Sequence, residues 1–382
     1  LNQRRKNILF LSSWFPSKSH TTLGNFVQRH AEAVALLHNV HVLYVTNSPN
    51  QKEPFVIEDH EELGVKITIV YCKPIGVFNP LRKWRGFLLG LKHLNEQHQY
   101  LFDLVHHNVI WKDAWQPWLI HRKYKTPYII TEHWTGFDKA ARGKAPLLLK
   151  PFAKFFGRKA SALCPVTENL AANMRAFGLE GKYHVVPNVV DIDLFQFKEK
   201  PTDRVHFLHV SSLIDEHKNV TGILRAWKRA IEKNPAMHLT IGGDGPWEFF
   251  QKEAQRFQIP SNSITFFGEK KWAEIADLMQ QSHCLILFSN YENLPCVIVE
   301  SLASGVSVIS TDVGGIAEHI NLERGILVHK QAEKQLAEAI LQYAQDYRDI
   351  DRSTLRNYAE QHFSKQTIAR AFDAVYNSAL KS

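Results

Sequence analysis

The sequence predicts an α/β protein made of two Rossmann-like β/α/β domains in tandem. Three observations predict it. Short apolar runs recur along the whole chain and are nearly continuous, as in strands covered by helices on both faces. Stretches of helical apolar periodicity separate them. The series breaks once, at residues 191–203, which are acidic, then Lys-rich, contain Pro201 and show no periodicity; it then starts again. At 382 residues and 45% hydrophobic, the chain is large enough for two cores.

In the first series, Asn7–Ser12 reads as a strand and residues 13–22 as a polar loop with Pro16. Gly24 and Asn25 lead into an amphipathic helix over 26–37, and 40–46 is the next strand. A strand follows at 65–71 and a helix at 79–97. Strands are expected at 104–107 and 128–131, with a helix between them from about Lys112, and at 163–166. Thr167 caps the next helix, with Glu168 in the first turn where a carboxylate suits the helix dipole. Residues 185–188 close the set.

The second series has strands at 205–210, 239–241, 264–267, 283–288 and 306–310. Helices are expected over 219–233, from Trp247, from Trp272, after Pro295, and over 331–346, 353–362 and 365–380. Pro295 suits a first helical turn, where a missing N–H costs nothing.

Several classes are excluded. The first loop is not GxGxxG, and no GxxxxGK[ST] occurs, which removes common dinucleotide folds and P-loop NTPases. The start resembles a signal peptide, but its apolar run is short and Trp14-Phe15-Pro16 follows, so it reads as a core strand. No apolar run approaches the roughly 18 residues of a membrane span. Cysteines 72, 164, 284 and 296 show neither CxxC nor metal-ligand spacing, which predicts free thiols and a cytoplasmic protein. The net charge of +8 is uneven: residues 1–190 hold 25 Lys/Arg and 13 Asp/Glu, residues 191–382 hold 21 and 25. A basic first half points to an anionic partner. No zinc-finger spacing or RNA-binding aromatic signature supports nucleic acid.

Ligands in open α/β sheets bind beyond the strand carboxyl ends, so the turns after the strands are the candidate functional ones. Gly24 lets backbone N–H groups approach a phosphate, or is a plain turn glycine. His133 follows a core strand among aromatics and suits a sugar hydroxyl or a reacting centre, or is a structural histidine. Lys218 sits at a helix mouth, as a diphosphate partner or a solvated lysine. Glu292 and Glu300 flank Pro295 eight residues apart. They cannot share a proton at that spacing, but can hold two ends of one long polar ligand; an ordinary capped helix with two solvated glutamates fits equally.

Read together, these residues resemble the retaining GT-B glycosyltransferases of family 4. Glu292 and Glu300 match the E-x7-E signature. The likeness runs the whole length, through Gly24, His133, Pro187-Asn188-Val189-Val190-Asp191, Lys218, Gly242-Gly243-Asp244-Gly245-Pro246 and residues 311–318. The resemblance implies a GT-B fold with an acceptor-binding domain over 1–190, a nucleotide-sugar-binding domain over 191–362 and a last helix within 363–382 crossing back to the first domain. It implies catalytic roles for His133 and Glu292, with His133 near the reacting carbon and Glu292 at the sugar. Donor binding would fall to Gly24, Ser212, Lys218, Gly268, Asn293, Leu294 and Glu300, with Lys218 on the diphosphate, Glu300 on the ribose and the base near 267–270. It implies no metal and no cofactor beyond the nucleoside-diphosphate-sugar co-substrate. Two residues depart from the pattern: Ser212 stands where the family has an arginine beside the diphosphate, and Asn293 where it has glycine.

Residues 139–159 carry seven Lys/Arg and no acid, with Leu147, Leu148, Phe152, Phe155 and Phe156 interleaved, and residues 79–92 repeat the mixture. Two readings stay open: core helices with a wet basic face, or contact with anionic lipid or a lipid-linked acceptor. The expected function is retaining transfer of a hexose-type sugar from a nucleoside diphosphate to a hydroxyl acceptor, in surface polysaccharide or glycolipid synthesis. The partners would be the donor, a sugar or lipid-linked acceptor and an anionic membrane surface at its inner face. The alternatives are a nucleotide-sugar epimerase or hydrolase on the same fold, and a non-catalytic nucleotide- or sugar-binding module.

Overall fold

The computed structural model describes residues 4–98, 102–110, 113–138, 149–199 and 204–381. The chain divides into two compact units, residues 1–189 with 365–382, and residues 190–364.

The first unit contains β1 (Asn7–Ser12), α1 (Asn25–Ala35), β2 (Asn39–Asn47), β3 (Phe55–Glu62), β4 (Val65–Cys72), α2 (Asn79–His98), β5 (Leu104–Asn108), α3 (Trp115–Tyr124), β6 (Tyr128–Glu132), α4 (Leu149–Lys159), β7 (Ala162–Pro165) and α5 (Glu168–Phe177). The strands form one sheet in the order β3-β4-β2-β1-β5-β6-β7. All pairs are parallel except β3 with β4. β1 lies between β2 and β5, so strand order reverses at the β1/β5 boundary. The sequence reading missed β3. Its second half, Glu58 to Glu62, is almost wholly charged and lacks an apolar face because it is an edge strand, and such charge discourages further pairing. Thr167 caps α5 as expected, its Oγ1 accepting from the Leu170 N–H at 3.0 Å.

The second unit contains β8 (Val205–Val210), the single-turn α6 (Asp215–Lys218), α7 (Val220–Ile231), β9 (Met237–Gly242), α8 (Trp247–Arg256), β10 (Ile264–Phe267), α9 (Trp272–Gln281), β11 (Cys284–Leu287), α10 (Cys296–Ala303), β12 (Ser307–Thr311), β13 (Gly325–Val328), α11 (Glu333–Asp346) and α12 (Arg352–Phe363). Its six strands are all parallel, in the order β10-β9-β8-β11-β12-β13. The order reverses at β8/β11. α7 buries Val220, Ile223, Leu224, Trp227, Ala230 and Ile231, three and four residues apart, against the sheet. Here the sequence reading missed α6 and β13. Each is only four residues long, too short to show a period.

The last helix, α13 (Lys365–Ala379), belongs to the first unit. Ile368, Phe372, Val375, Tyr376 and Ala379 enter the same core as β1, α1 and β2. Tyr376 OH lies 2.7 Å from Nδ1 of the buried His106, and Lys365 pairs with the buried Glu32 of α1 at 3.3 Å.

Of the basic aromatic stretch, residues 139–148 lie outside the described residues. In α4 Phe156 is buried and Phe155 exposed, and both pack edge-on against Trp118. No helix of the described residues is long and apolar enough to cross a membrane.

Candidate active site

In the second unit Ser212, Lys218, Glu292, Asn293 and Leu294 lie at the strand-order reversal. The loop after β8 carries Ser211 to Asp215, and the loop after β11 carries Ser289 to Leu294. β8 and β11 are neighbours, so the two loops face each other at the strand carboxyl ends. They are tied across that boundary by Lys218 Nζ to Glu292 Oε1 at 2.5 Å, and by Asn290 N–H donating to the His217 carbonyl at 2.7 Å. Lys218 ends α6. Asn219 then turns left-handed, with φ of 49°, before α7 starts, so Lys218 sits two residues ahead of that helix.

Each side of the pair is held from behind. The Glu292 carboxylate also accepts from Ser289 Oγ at 2.8 Å, and Thr311 Oγ1 donates to the Ser289 carbonyl at 2.7 Å. Gly314, after β12, has φ of 61°, and a Cβ there would fall 1.8 Å from the Glu292 carbonyl oxygen. The glycine therefore lets the two loops touch. On the β8 side, His209 Nδ1 faces the Ile286 carbonyl at 2.8 Å. A carbonyl only accepts, so the proton is on Nδ1, and Nε2 accepts from Ser211 Oγ at 2.8 Å. Ser211 Oγ in turn accepts from the Leu213 N–H at 3.1 Å. Burial pushes His209 down to about 4, which keeps it neutral and able to play both parts.

The remaining donor candidates lie on α10 and in the loops after β8, β10 and β11. Pro295 precedes α10 as its N-cap, one position earlier than the expected first turn, because its ψ of 130° is extended. Glu300, on α10, is 4% exposed; Asn293 and Leu294 are also buried. Ser212 lies in the β8 loop and brings no charge. Gly268 directly follows β10, and a Cβ there would lie 2.9 Å from the Trp247 indole nitrogen.

In the first unit, Gly24 is the N-cap of α1 with φ of 78°, and a Cβ would lie 2.4 Å from the Trp14 carbonyl carbon. The β1 loop thus passes directly under the start of α1. His133 follows β6 and is ringed by Phe26 at 4.3 Å and His30 at 5.3 Å. Burial first, then His30 and His106, holds it well below the usual imidazole range. It is a neutral hydrogen-bonding group.

One residue of this half escaped the sequence reading. Glu132, fully buried at the end of β6, accepts from the N–H groups of Ile110 (2.9 Å), His133 (2.9 Å) and Trp134 (2.8 Å). It fixes the backbone that carries His133 and ties it to the loop after β5. Burial raises its carboxyl to about 7, while the three N–H groups pull the other way. The signal was a carboxylate ending an apolar strand, next to a residue already singled out. A separate concavity, lined by Arg5, His38, His41, Glu61 and Lys66, opens at the amino ends of β1, β2 and β4, away from these loops.

Comparison with known proteins decides the family. The model described as Glycosyltransferase Family 4 matches residues 23–194, and Glycosyl transferases group 1 matches 191–362. The chain is a GT-B glycosyltransferase of the family 4 type. The candidate glycosyltransferase EpsF of Bacillus subtilis is 27% identical over 84% of this chain and 82% of its own. Glycogen synthase of Mycobacterium tuberculosis is 23% identical over 97% and 94%. Among solved structures, sucrose-phosphate synthase from Thermosynechococcus elongatus superposes with a TM-score of 0.79 at 18% identity, covering 98% of both chains. Anabaena HepE in complex with UDP-glucose gives 0.75 at 17%, covering 97% and 99%. These likenesses establish the GT-B fold of this glycosyltransferase.

Proposed function

We propose that this glycosyltransferase moves a hexose-type sugar, with retention, from a nucleoside-diphosphate-sugar to a hydroxyl acceptor in surface polysaccharide or glycolipid synthesis. The observation that carries it is the Lys218–Glu292 contact across the β8/β11 reversal. A cation and a carboxylate fixed side by side suit a ligand with a diphosphate next to sugar hydroxyls. HepE, of the same fold, has been solved with UDP-glucose, which makes UDP the first nucleotide to try. In this reading Lys218 and the start of α10 offset the leaving diphosphate, so no metal is required. Glu300 takes the ribose hydroxyls. Glu292 orients the sugar, assisted by Asn293 and Leu294. Neutral His133 donates or accepts a hydrogen bond at the sugar. Departure and attack on one face, guided by the leaving phosphate, account for retention without a protein nucleophile. The acceptor is a sugar or lipid-linked sugar presented at an anionic membrane surface on its cytoplasmic side.

A thermal-shift panel of nucleotide sugars tests the donor, since a ligand that binds only the folded state raises its stability. A clear rise in midpoint with one nucleotide is expected; no rise with any would sink the reading. Glu300→Ala should weaken donor binding about tenfold, whereas Glu292→Gln should lower kcat on the order of a hundredfold with little change in donor affinity. Wild-type kinetics in both would remove these roles. Turnover should survive EDTA, and NMR of the product should show the donor's anomeric configuration.

A further inference from the structure

α2 covers the sheet with one face only. Phe87, Leu91 and Leu94 are buried against it, and Gly86 and Gly90 allow close approach: a Cβ would lie 2.6 Å from Cys72 Sγ at the first and 2.7 Å from a Leu43 methyl at the second. A stripe along the flank of α2 and the turn leading into it are apolar and open to solvent. Val77 is 88% exposed, Phe78 63%, Leu81 46% and Trp84 43%. Within α2, Leu81, Trp84 and Leu88 fall three or four apart and share one face, and Val77 and Phe78 stand in the turn just ahead of it. Leucine, tryptophan and valine placed this way on a soluble surface are unusual, and a contiguous exposed apolar patch marks an interaction site.

The surrounding charge selects the partner. Lys73, Arg82, Lys83, Arg85 and Lys92 lie within or beside the patch, and no Asp or Glu occurs from residue 73 to residue 95. Arg85, Lys92 and Lys73 are exposed. Arg82 lies over the Phe55 ring at 5.0 Å, its charge held at the rim of the helix. Carboxylates meet α2 toward its carboxyl end, where Lys92 pairs with Glu96 at 3.6 Å and His93 with Asp59 at 2.7 Å. The apolar ridge at its start, flanked by Arg82, Lys83 and Arg85, fits an anionic bilayer, whose interface takes up the aromatic and aliphatic side chains while its headgroups pair with the basic ones.

We propose that the turn at residues 75–78 and the outer stripe of α2, led by Val77, Phe78, Leu81 and Trp84, insert into the interface of an anionic lipid membrane. This rests on the membrane-presented acceptor of the function proposed above, and assigns the docking element to α2. The long basic stretch that drew most attention in the sequence is not needed for it.

The test is cosedimentation of the full chain with phosphatidylglycerol-containing or purely phosphatidylcholine vesicles at low and high salt. The wild type should bind the anionic vesicles, less so at high salt. The exposed-residue variant Val77→Ser/Phe78→Ser/Leu81→Ser/Trp84→Ser should lose about tenfold in vesicle affinity. Arg85→Ser/Lys92→Ser should bind more weakly and with less salt dependence. Unchanged melting midpoints establish that the variants fold. Equal binding by wild type and the apolar variant, or none by the wild type, overturns the proposal. So does a wild-type dimer that the same four substitutions dissociate, because the ridge then serves a second copy. The nucleotide-induced thermal shift is read on the same samples. Vesicle binding without a nucleotide shift removes the proposed nucleotide-sugar donor and leaves the surface standing; a shift without vesicle binding does the reverse.

Discussion

Gly314 and Gly76 share a φ of 61°, yet their surroundings are opposite. A Cβ at Gly314 meets the Glu292 carbonyl at 1.8 Å, and one at Gly76 meets nothing within 4 Å. Alanine at either costs about 1 kcal/mol for the left-handed backbone. Gly314→Ala must also push back the loop that carries Glu292. It should lower the melting midpoint more than Gly76→Ala and weaken nucleotide binding, which Gly76→Ala should leave unchanged. Equal effects would mean that the Glu292 loop is not held by Gly314. The residues that make this site were legible singly. Glu292 and Lys218 each stood in a turn after an apolar run. Their contact was not, because Lys218 and Glu292 are 74 positions apart and meet only once β8 and β11 are neighbours. Glu132 was missed for a related reason: its three N–H partners are backbone groups, and backbone groups leave no mark in a sequence.

Among the elements, the strands buried on both faces were read correctly to within a residue or two, because their apolar runs are continuous. β3 was not, since its charged edge-facing half carries no apolar signal, and β13 was not, since four residues are too few to stand out. α13 shows what an element gains from a polar contact in a core. Tyr376 is fully buried, with its hydroxyl on His106, whose other ring nitrogen lies 2.6 Å from Thr131 Oγ1. Tyr376→Phe leaves a buried imidazole nitrogen without that partner and should cost about 1–3 kcal/mol. Urea denaturation followed in the first unit would show it; a change within error would mean that α13 is held by apolar packing alone.

For the molecule as a whole, buried histidines dominate the response to acid. Burial pushes His30 to about 4, His107 to about 3, and His209 and His319 to about 4. In the unfolded chain each titrates near 6.5. Below that pH the unfolded chain takes up protons that the folded one refuses, so stability is full above about 6.5 and is lost as pH falls toward 4. Glu132 acts in the opposite sense, because its raised carboxyl favours the folded state at low pH and less so as pH approaches 7. Burial raises Glu32 in the same sense as Glu132 and lowers His106 and His133 in the same sense as the four histidines above. The histidines outnumber the carboxylates and the balance is a net loss, at about 1.4 kcal/mol per histidine per pH unit. Urea midpoints should fall steadily from pH 7 to pH 5; a flat or rising profile would contradict these shifts. Glu132→Gln should steepen the fall. The two domains also differ in when they can be finished. The second unit is one unbroken stretch of chain, residues 190–364, whereas the first takes α13 from residues 365–379 into its core. On the ribosome, the domain begun first is therefore completed last: its sheet emerges early, but the surface that α13 covers stays open until the whole of the other domain has been made. A nascent chain of this enzyme carries an exposed apolar seam for most of its synthesis, and that seam, rather than the finished fold, is where a chaperone would find it.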